Sequence, residues 1–128
     1  KIDVQKYSNM LSCVLKANSE GLVSSGSYVG LGGLATCLFK MGFVNNVGCS
    51  IDKDIDKNLL FSENFAFVVE VSEESSAAFE EILNKSKCTY KQIGKTNKSS
   101  KIVVKNFIDL DVAQTKRTWE NALREKLQ

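Results

Sequence analysis

The sequence has 128 residues but contains no histidine and no proline, and it has a single tryptophan. Histidine is the side chain that most often acts as a general base, so its absence removes that base. Ser-His and Cys-His nucleophilic systems are therefore excluded within this chain. We predict no catalytic residue here, and any catalytic histidine has to come from elsewhere.

Strong charge and long apolar runs are also missing. The formal net charge is only +2, and the seventeen Lys and Arg residues are scattered without a block of like charge. This pattern argues against a nucleic-acid partner. No apolar stretch approaches the roughly 20 residues that a membrane-spanning helix needs, so we expect no membrane partner either.

The four cysteines form no C-x-x-C pair and the sequence has no histidine, so we predict no zinc site and no metal ligands. Cys13, Cys37 and Cys49 lie among apolar neighbours, where a free thiol behaves as a small hydrophobic side chain. Reduced cysteines of a cytoplasmic protein are the favoured interpretation, and a disulfide pair is the alternative.

The chain starts without a methionine, a signal peptide or a transit sequence. We therefore expect a soluble piece of a longer protein. Its length suits one core, so residues 1–128 are expected to form a single domain.

Apolar residues recur at three- and four-residue steps in four segments, which predicts helices. The first has a stripe of Val4, Tyr7, Leu11 and Val14, widened by Met10 and Leu15, and ends at Gly21. The second covers Leu34 to Gly42 or Phe43. Ser72 begins the third, with Ala78, Phe79, Ile82 and Leu83 as its buried face. Asp111 begins the last, with Val112, Thr115, Trp119, Leu123 and Leu127 on one side, and we expect Trp119 and Phe79 in the core.

Strands are predicted between these helices. They comprise a short strand before Gly30, Val47 to Ile51, Phe65 to Val71, Thr89 to Thr96 and Lys101 to Lys105. Phe65 to Val71 is apolar enough to be central in a sheet. The last two strands flank the polar loop 97–100 and are expected to form a hairpin.

The resulting order contains a β-α-β-β-α-β unit, which is the ferredoxin-like arrangement, with extra helices at both ends. We predict an α+β fold, a layered α/β sandwich in which helices cover a largely antiparallel sheet.

The most distinctive motif is Gly30-Leu31-Gly32-Gly33, at a strand-to-helix turn. Bare backbone N–H groups at a helix start can approach a phosphate, whose charge the helix dipole favours. A tight turn that needs glycine for positive φ or close packing is the alternative. No Lys-Ser or Lys-Thr follows, so the motif is not a Walker loop.

A second candidate is Ser62-Glu63-Asn64, three polar residues between two apolar runs. Turn formation alone could account for them. Glu63 could instead accept hydrogen bonds from a substrate or help to hold Mg²⁺. The alternating Asp52, Asp54 and Asp56 lack the glycine and spacing of an EF-hand, so a solvated linker is favoured.

Several segments resemble one family of purine-biosynthesis enzymes. They are Gly21-Leu22-Val23-Ser24-Ser25, the run from Gly32 to Met41, Leu60-Phe61-Ser62-Glu63-Asn64, Phe67 to Val71, Ile93-Gly94-Lys95-Thr96, and Ile108 to Val112 with Trp119-Glu120. Together they resemble the C-terminal domain of phosphoribosylformylglycinamidine synthase, synthetase subunit. That domain belongs to the wider family of aminoimidazole ribonucleotide synthetase.

The resemblance implies a C-terminal piece of a multidomain ATP-dependent ligase. Such a ligase converts formylglycinamide ribonucleotide to the amidine, with ATP, Mg²⁺ and ammonia from a glutaminase subunit. A small companion subunit and the missing N-terminal domains of the same chain are the other implied partners. The isolated chain is expected to be inactive.

One departure narrows this expectation. The family pattern His-Asp-Val-Ser-Asp-Gly-Gly-Leu is replaced here by Ser27-Tyr28-Val29-Gly30-Leu31-Gly32-Gly33-Leu34. Both acidic residues and the serine are lost, while the glycine backbone is kept. Two alternatives therefore stay open: a non-catalytic nucleotide-binding or docking domain, and an aminoimidazole ribonucleotide synthetase-type domain.

Overall fold

The computed structural model of the protein describes residues 3–44, 46–63 and 66–127. Within these ranges the chain forms five helices and six strands. In chain order they are α1 (Val4–Ser19), β1 (Ser25–Tyr28), α2 (Gly33–Phe43), β2 (Gly48–Ile51), α3 (Lys57–Phe61), β3 (Phe67–Glu70), α4 (Glu73–Lys85), β4 (Lys95–Asn97), β5 (Lys101–Val104), β6 (Ile108–Asp111) and α5 (Val112–Leu127). None of these helices is long and apolar enough to cross a membrane.

The elements belong to two units. Lys1–Ser27 and Phe67–Gln92 form the first, and Tyr28–Ala66 with Ile93–Gln128 form the second. Whether the whole of 1–128 acts as a single domain stays a prediction.

In the first unit, α1 packs against α4. Helix α1 begins at Asp3, whose carboxylate accepts the Lys6 N–H at 3.0 Å. It ends as predicted at Gly21, where a φ of 73° lets the chain leave the helix. The predicted buried stripe is wrong, because the buried face of α1 is rotated about the helix axis and contains Cys13 and Ala17. Val4 and Leu15, at 73% and 60% exposure, face solvent.

The same unit contains β3 and all of β1 except Tyr28, and these two strands pair. Backbone bonds from Ser24 N to Glu70 O (2.8 Å) and from Val29 N to Ala66 O (2.9 Å) show that the two strands run antiparallel. The prediction that the β3 segment is central in a sheet is wrong, since β3 lies in a two-stranded sheet and is only half-buried.

Helix α4 begins as predicted, with the Ser72 hydroxyl accepting the Ser75 N–H at 3.2 Å. Ile82 and Leu83 are buried. Ala78 is exposed and Phe79 half-buried, so the predicted buried face is right only in its second half.

The second unit is built on a four-stranded sheet with the order β4-β2-β5-β6. Strand β2 runs parallel to β5 and antiparallel to β4, and β5 and β6 are antiparallel. The predicted hairpin between the β4 and β5 segments is wrong, because β2 lies between them. The buried β2 gains a hydrogen-bonding neighbour on each side, and the fully exposed β4 is left at the edge.

A different hairpin forms between β5 and β6. Its turn carries Asn106 at a φ of 70°, and the Phe107 N–H donates to the Val104 carbonyl at 2.9 Å. Elements β6 and α3 are additions to the predicted order. Helix α3 is a short helix that Asp56 begins, so it includes the end of the stretch 52–58 that was expected to be a linker.

The core of the second unit joins the sheet to α2, α3 and α5. Its most completely buried side chains are Ile51, Leu60, Ile102, Val104 and Val112. The α+β class and the extra helices at both ends are confirmed, and the predicted β-α-β-β-α-β order is found with the short helix α3 inserted between its second and third strands. The strands of that order are divided between the two sheets.

All four cysteines lie within the described ranges and are reduced thiols, and Cys13, Cys37 and Cys49 are buried as predicted. Burial raises the pKa of the Cys49 thiol to about 11, so this thiol is protonated at neutral pH and is a poor nucleophile.

The start of α5 depends on Asp111, whose carboxylate accepts the Gln114 N–H at 2.8 Å. Replacing an N-cap aspartate by alanine costs about 1 kcal/mol. We therefore expect Asp111→Ala to lower the free energy of unfolding by about this amount in urea titrations. Asp111→Asn keeps the acceptor and should cost clearly less; equal losses for both variants would contradict the capping role.

Candidate functional site

The glycine motif forms a tight turn at the start of α2. Gly32 and Gly33 have φ values of 85° and 70°, in the left-handed region that side chains rarely adopt. The Gly33 N–H donates to the Gly30 carbonyl at 3.0 Å and closes the turn. The two glycines therefore turn the chain that comes from β1 and let α2 begin directly after the turn.

Gly33 is also the point of closest approach between α2 and α3. A Cβ added at Gly33 would lie 2.6 Å from the carbonyl carbon of Phe61 and 2.9 Å from the carbonyl oxygen of Leu60. Backbone cannot move aside as the end of a side chain can, so only glycine fits. For Gly33 the structural interpretation is correct: the residue is required for packing.

The remaining part of the motif faces solvent. Leu31 is 79% exposed, and Gly32, the N-cap of α2, provides no side-chain cap. The first N–H groups of a helix lack intrahelical partners, and the helix dipole favours an anion beside them. The geometry thus suits an anion held by backbone donors alone.

The structure brings the second candidate motif to the same place. The peptide bond that joins Phe61 to Ser62 directly abuts Gly33. Ser62 ends α3: its N–H donates to the Asn58 carbonyl at 2.8 Å, and its hydroxyl donates to the same oxygen. Glu63 follows and is exposed. Asn64, the third candidate, lies outside the described residues.

These roles limit what each residue can do. The Ser62 hydroxyl is engaged with backbone, so turn formation accounts for it. Glu63 is exposed and follows Phe61, whose backbone abuts Gly33, by two residues. The turn therefore offers backbone N–H donors to an anion, and it offers no general base of the histidine type.

The alternating aspartates have structural partners. The carboxylate of Asp56 accepts the Asn58 N–H at 3.0 Å, and Asp54 lies 3.3 Å from the Lys105 ammonium. Asp52 accepts the Ser50 hydroxyl at 2.9 Å. Among the described residues there is no group of three or more His, Cys, Asp and Glu that could hold a metal ion.

Sequence reasoning missed an open groove at the other end of α2. Its lining residues are Phe43, Val44, Asn46, Val112, Ala113, Lys116, Arg117 and Glu120. The Lys116 ammonium donates to the Phe43 carbonyl at 3.4 Å, as a cation does at a helix C-terminus.

Apolar surface continues beside this groove. Trp119 lies with its ring centroid 6.1 Å from that of Phe43, yet half of the residue is exposed. Val44 is 80% exposed. The expectation that Trp119 belongs to the core is therefore wrong. The three- and four-residue repeat of α5 was visible in the sequence, but nothing in the sequence showed that only Val112 of that helix is buried.

Comparison with known proteins gives relatives over almost the whole chain. This chain is 32% identical over 113 residues to phosphoribosylformylglycinamidine synthase subunit PurL of Lactobacillus helveticus. The alignment covers 84% of this chain and 15% of that protein. With the subunit of the same name from Methanocaldococcus jannaschii, identity is 30% over 132 residues, covering 95% of this chain and 18% of that protein. The chain thus spans less than a fifth of the length of these relatives.

Solved structures of Thermotoga maritima PurL share the fold at 18% sequence identity. The structure of PurLQS matches with a TM-score of 0.72 over 87% of this chain and 21% of that chain. PurL complexed with FGAR matches at 0.69 over 84% and 20%, and PurL complexed with ATP at 0.67 over 82% and 20%.

The family model described as "AIR synthase related protein, C-terminal domain" matches residues 2–105. This match covers the glycine turn, α3 and the first five strands. The resemblance found in the sequence motifs is thereby confirmed: the chain belongs to the family of AIR synthase related proteins and corresponds to their C-terminal domain.

Proposed function

We propose that the chain is the C-terminal domain of a phosphoribosylformylglycinamidine synthase, synthetase subunit, and that its glycine turn holds a phosphate group for that ligase. The observation that carries the proposal is the uncapped start of α2, with its exposed Leu31 and Gly32, set against the end of α3. The names of the curated relatives support the activity.

The reaction is the ATP-dependent conversion of formylglycinamide ribonucleotide to the amidine in purine biosynthesis. Both reactants carry phosphate groups, so either could be the source of the anion at Gly30–Gly33. The relatives that have been solved with FGAR and with ATP support both sources.

The chain contributes binding rather than chemistry. Backbone N–H groups can orient a phosphate, but the sequence contains no histidine to move a proton. The catalytic base and the ligands of Mg²⁺ are therefore assigned to the N-terminal domains of the longer protein. On its own the chain is inactive, and the four reduced cysteines support a cytoplasmic location.

A charge placed at Leu31 tests the phosphate site. Leu31 is almost fully exposed, so Leu31→Glu should leave the fold intact while its carboxylate competes with a bound anion at the helix start. We expect amide NMR titrations with inorganic phosphate, ATP and formylglycinamide ribonucleotide to move the signals of residues 31–35. Leu31→Glu should weaken that binding about fivefold or more.

Leu31→Gln is the matched control, since it has nearly the same shape without the charge. It should bind within about twofold of the unaltered chain, as an uncharged surface change does. The relative response to ATP and to the ribonucleotide identifies the source of the phosphate. Titrations in which none of the three probes moves these signals, or in which Glu and Gln behave alike, would contradict the proposal.

The packing role of Gly33 is tested separately from binding. We expect Gly33→Ala to lower the free energy of unfolding by about 2 kcal/mol or more, because the methyl group meets α3 backbone at a strained φ. At Gly30 a Cβ would be 3.9 Å from its nearest neighbour, the Tyr28 ring, so Gly30→Ala should be tolerated. Equal free energies of unfolding for the two variants in urea titrations would show that the backbone of α3 does not exclude a side chain at position 33.

A second candidate function is docking, and the groove beside α5 favours it. Its apolar wall continues into the half-exposed Trp119 and Leu123. Large apolar side chains in such positions are typical of protein interfaces. We propose the glutaminase subunit as the occupant and a small companion subunit as its alternative, which the PurLQS structure of the Thermotoga protein supports.

Truncation of the aromatic side chain tests docking. We expect Trp119→Ala to weaken binding of the glutaminase subunit at least about tenfold in calorimetric titrations, because exposed tryptophans are frequent interface hot spots. Val4→Ala removes another exposed apolar side chain, from α1, and should leave the affinity unchanged. The same loss in both variants, or no loss in either, would exclude the groove as the docking site.

A further inference from the structure

Cys88 is placed by the way in which α4 ends. The Lys87 N–H donates to the Asn84 carbonyl at 3.1 Å, and the Cys88 N–H donates to the Leu83 carbonyl at 2.9 Å. Lys87 has a φ of 53°, so the chain reverses in a Schellman motif and Cys88 follows it. The position of the Cys88 backbone is therefore fixed by α4, although the side chain is only half-buried.

Cys13 approaches from the opposite helix. It lies on the buried face of α1, with 2% of its surface exposed, and α1 packs against α4 in the same unit. The Cys88 thiol makes a side-chain hydrogen bond with Cys13. The thiol of Cys88, which follows the end of α4, thus contacts the thiol of Cys13 on α1, and of the two only Cys88 is reachable from solvent.

We propose that Cys13 and Cys88 form a dithiol modification site, which a low-molecular-weight disulfide oxidises to an intramolecular disulfide between α1 and the end of α4. The other two cysteines do not share this arrangement. Cys37 and Cys49 are both buried and belong to the second unit, so no reachable thiol is offered by either.

The chemistry proceeds in two exchanges. The Cys88 thiolate attacks one sulfur of the reagent, forms a mixed disulfide and releases one reduced thiol. The Cys13 sulfur then loses its proton and attacks the Cys88 sulfur, which releases the second reduced thiol. Two protein thiols are oxidised, one reagent disulfide is reduced to two thiols, and no other oxidant is needed.

The environment of Cys88 sets the pH at which the first exchange becomes fast. Desolvation and the contact with Cys13 raise the pKa of Cys88 to about 11, and the nearby Lys6 ammonium opposes this in part. Cys88 is therefore mostly protonated at pH 7, where the first exchange is slow, and its thiolate fraction rises about tenfold per pH unit between pH 7 and pH 9. The cross-linking rate should follow that rise.

Oxidised glutathione tests the proposal. The unaltered chain should lose the mass of two hydrogen atoms and give one peptide pair that joins Cys13 to Cys88. Cys88→Ser should give no cross-link, whereas Cys13→Ser should stop at the mixed disulfide and retain one glutathione. Cys37→Ser and Cys49→Ser are matched controls and should cross-link as the unaltered chain does.

A second readout does not depend on mass. A cross-link between two packed helices restricts the unfolded chain, so the oxidised protein should melt at a higher temperature, and dithiothreitol should restore the original value. The proposal is overturned if the unaltered chain retains glutathione, if the cross-link joins other cysteines, or if oxidation leaves both the mass and the melting temperature unchanged.

Discussion

The close approach of α3 to Gly33 is the constraint on which the candidate site depends. Because the carbonyl groups of Leu60 and Phe61 occupy the space of a Cβ, α2 can begin only at a residue without a side chain. That contact holds the start of α2 and the end of α3 together, and it leaves Leu31 and Gly32 at the surface. Two motifs that are some thirty positions apart in sequence thereby become one site, with the fully buried Leu60 anchoring it in the core.

The phosphate site that we propose uses backbone donors, which do not require reactive side chains. A turn built from Gly30, Leu31, Gly32 and Gly33 offers N–H donors and a helix dipole but no titrating group. Under the proposed ligase function these donors orient a phosphate, while proton transfer and metal binding need side chains from another domain. The division of labour follows from the residue types alone, and the structure adds which of the glycines is required for packing.

Local features of the fold could be predicted from the sequence because they depend on neighbouring residues. The caps at Ser72 and Asp111 and the helix end at Gly21 need only a few side chains and a backbone angle.

Strand pairing could not be predicted in the same way. The β4 and β5 segments are separated by a short polar loop, yet β2, from far earlier in the chain, lies between them. In this order the backbone groups of the buried β2 have hydrogen-bonding partners on both edges. Hairpin signals in the sequence concern neighbouring segments and do not include such long-range pairing. The core position predicted for Trp119 is wrong for a related reason. Periodicity shows which residues share a helix face, but it does not show which part of that face other elements cover.

Reliance on backbone also bears on the lost acidic residues. Relative to the family pattern, Tyr28, Gly30 and Leu31 stand where polar or acidic side chains are typical. A site whose ligand was held by those carboxylates would have lost its function with them. A site whose donors are N–H groups keeps its geometry, because the φ angles of Gly32 and Gly33 and the contact with Phe61 remain. The substitutions therefore remove carboxylates that could bind a metal or accept a proton, and they leave in place the backbone donors of the proposed phosphate site. That selective loss is what distinguishes a binding domain from a catalytic one, and it favours a role for this chain in holding a phosphate rather than in transferring it.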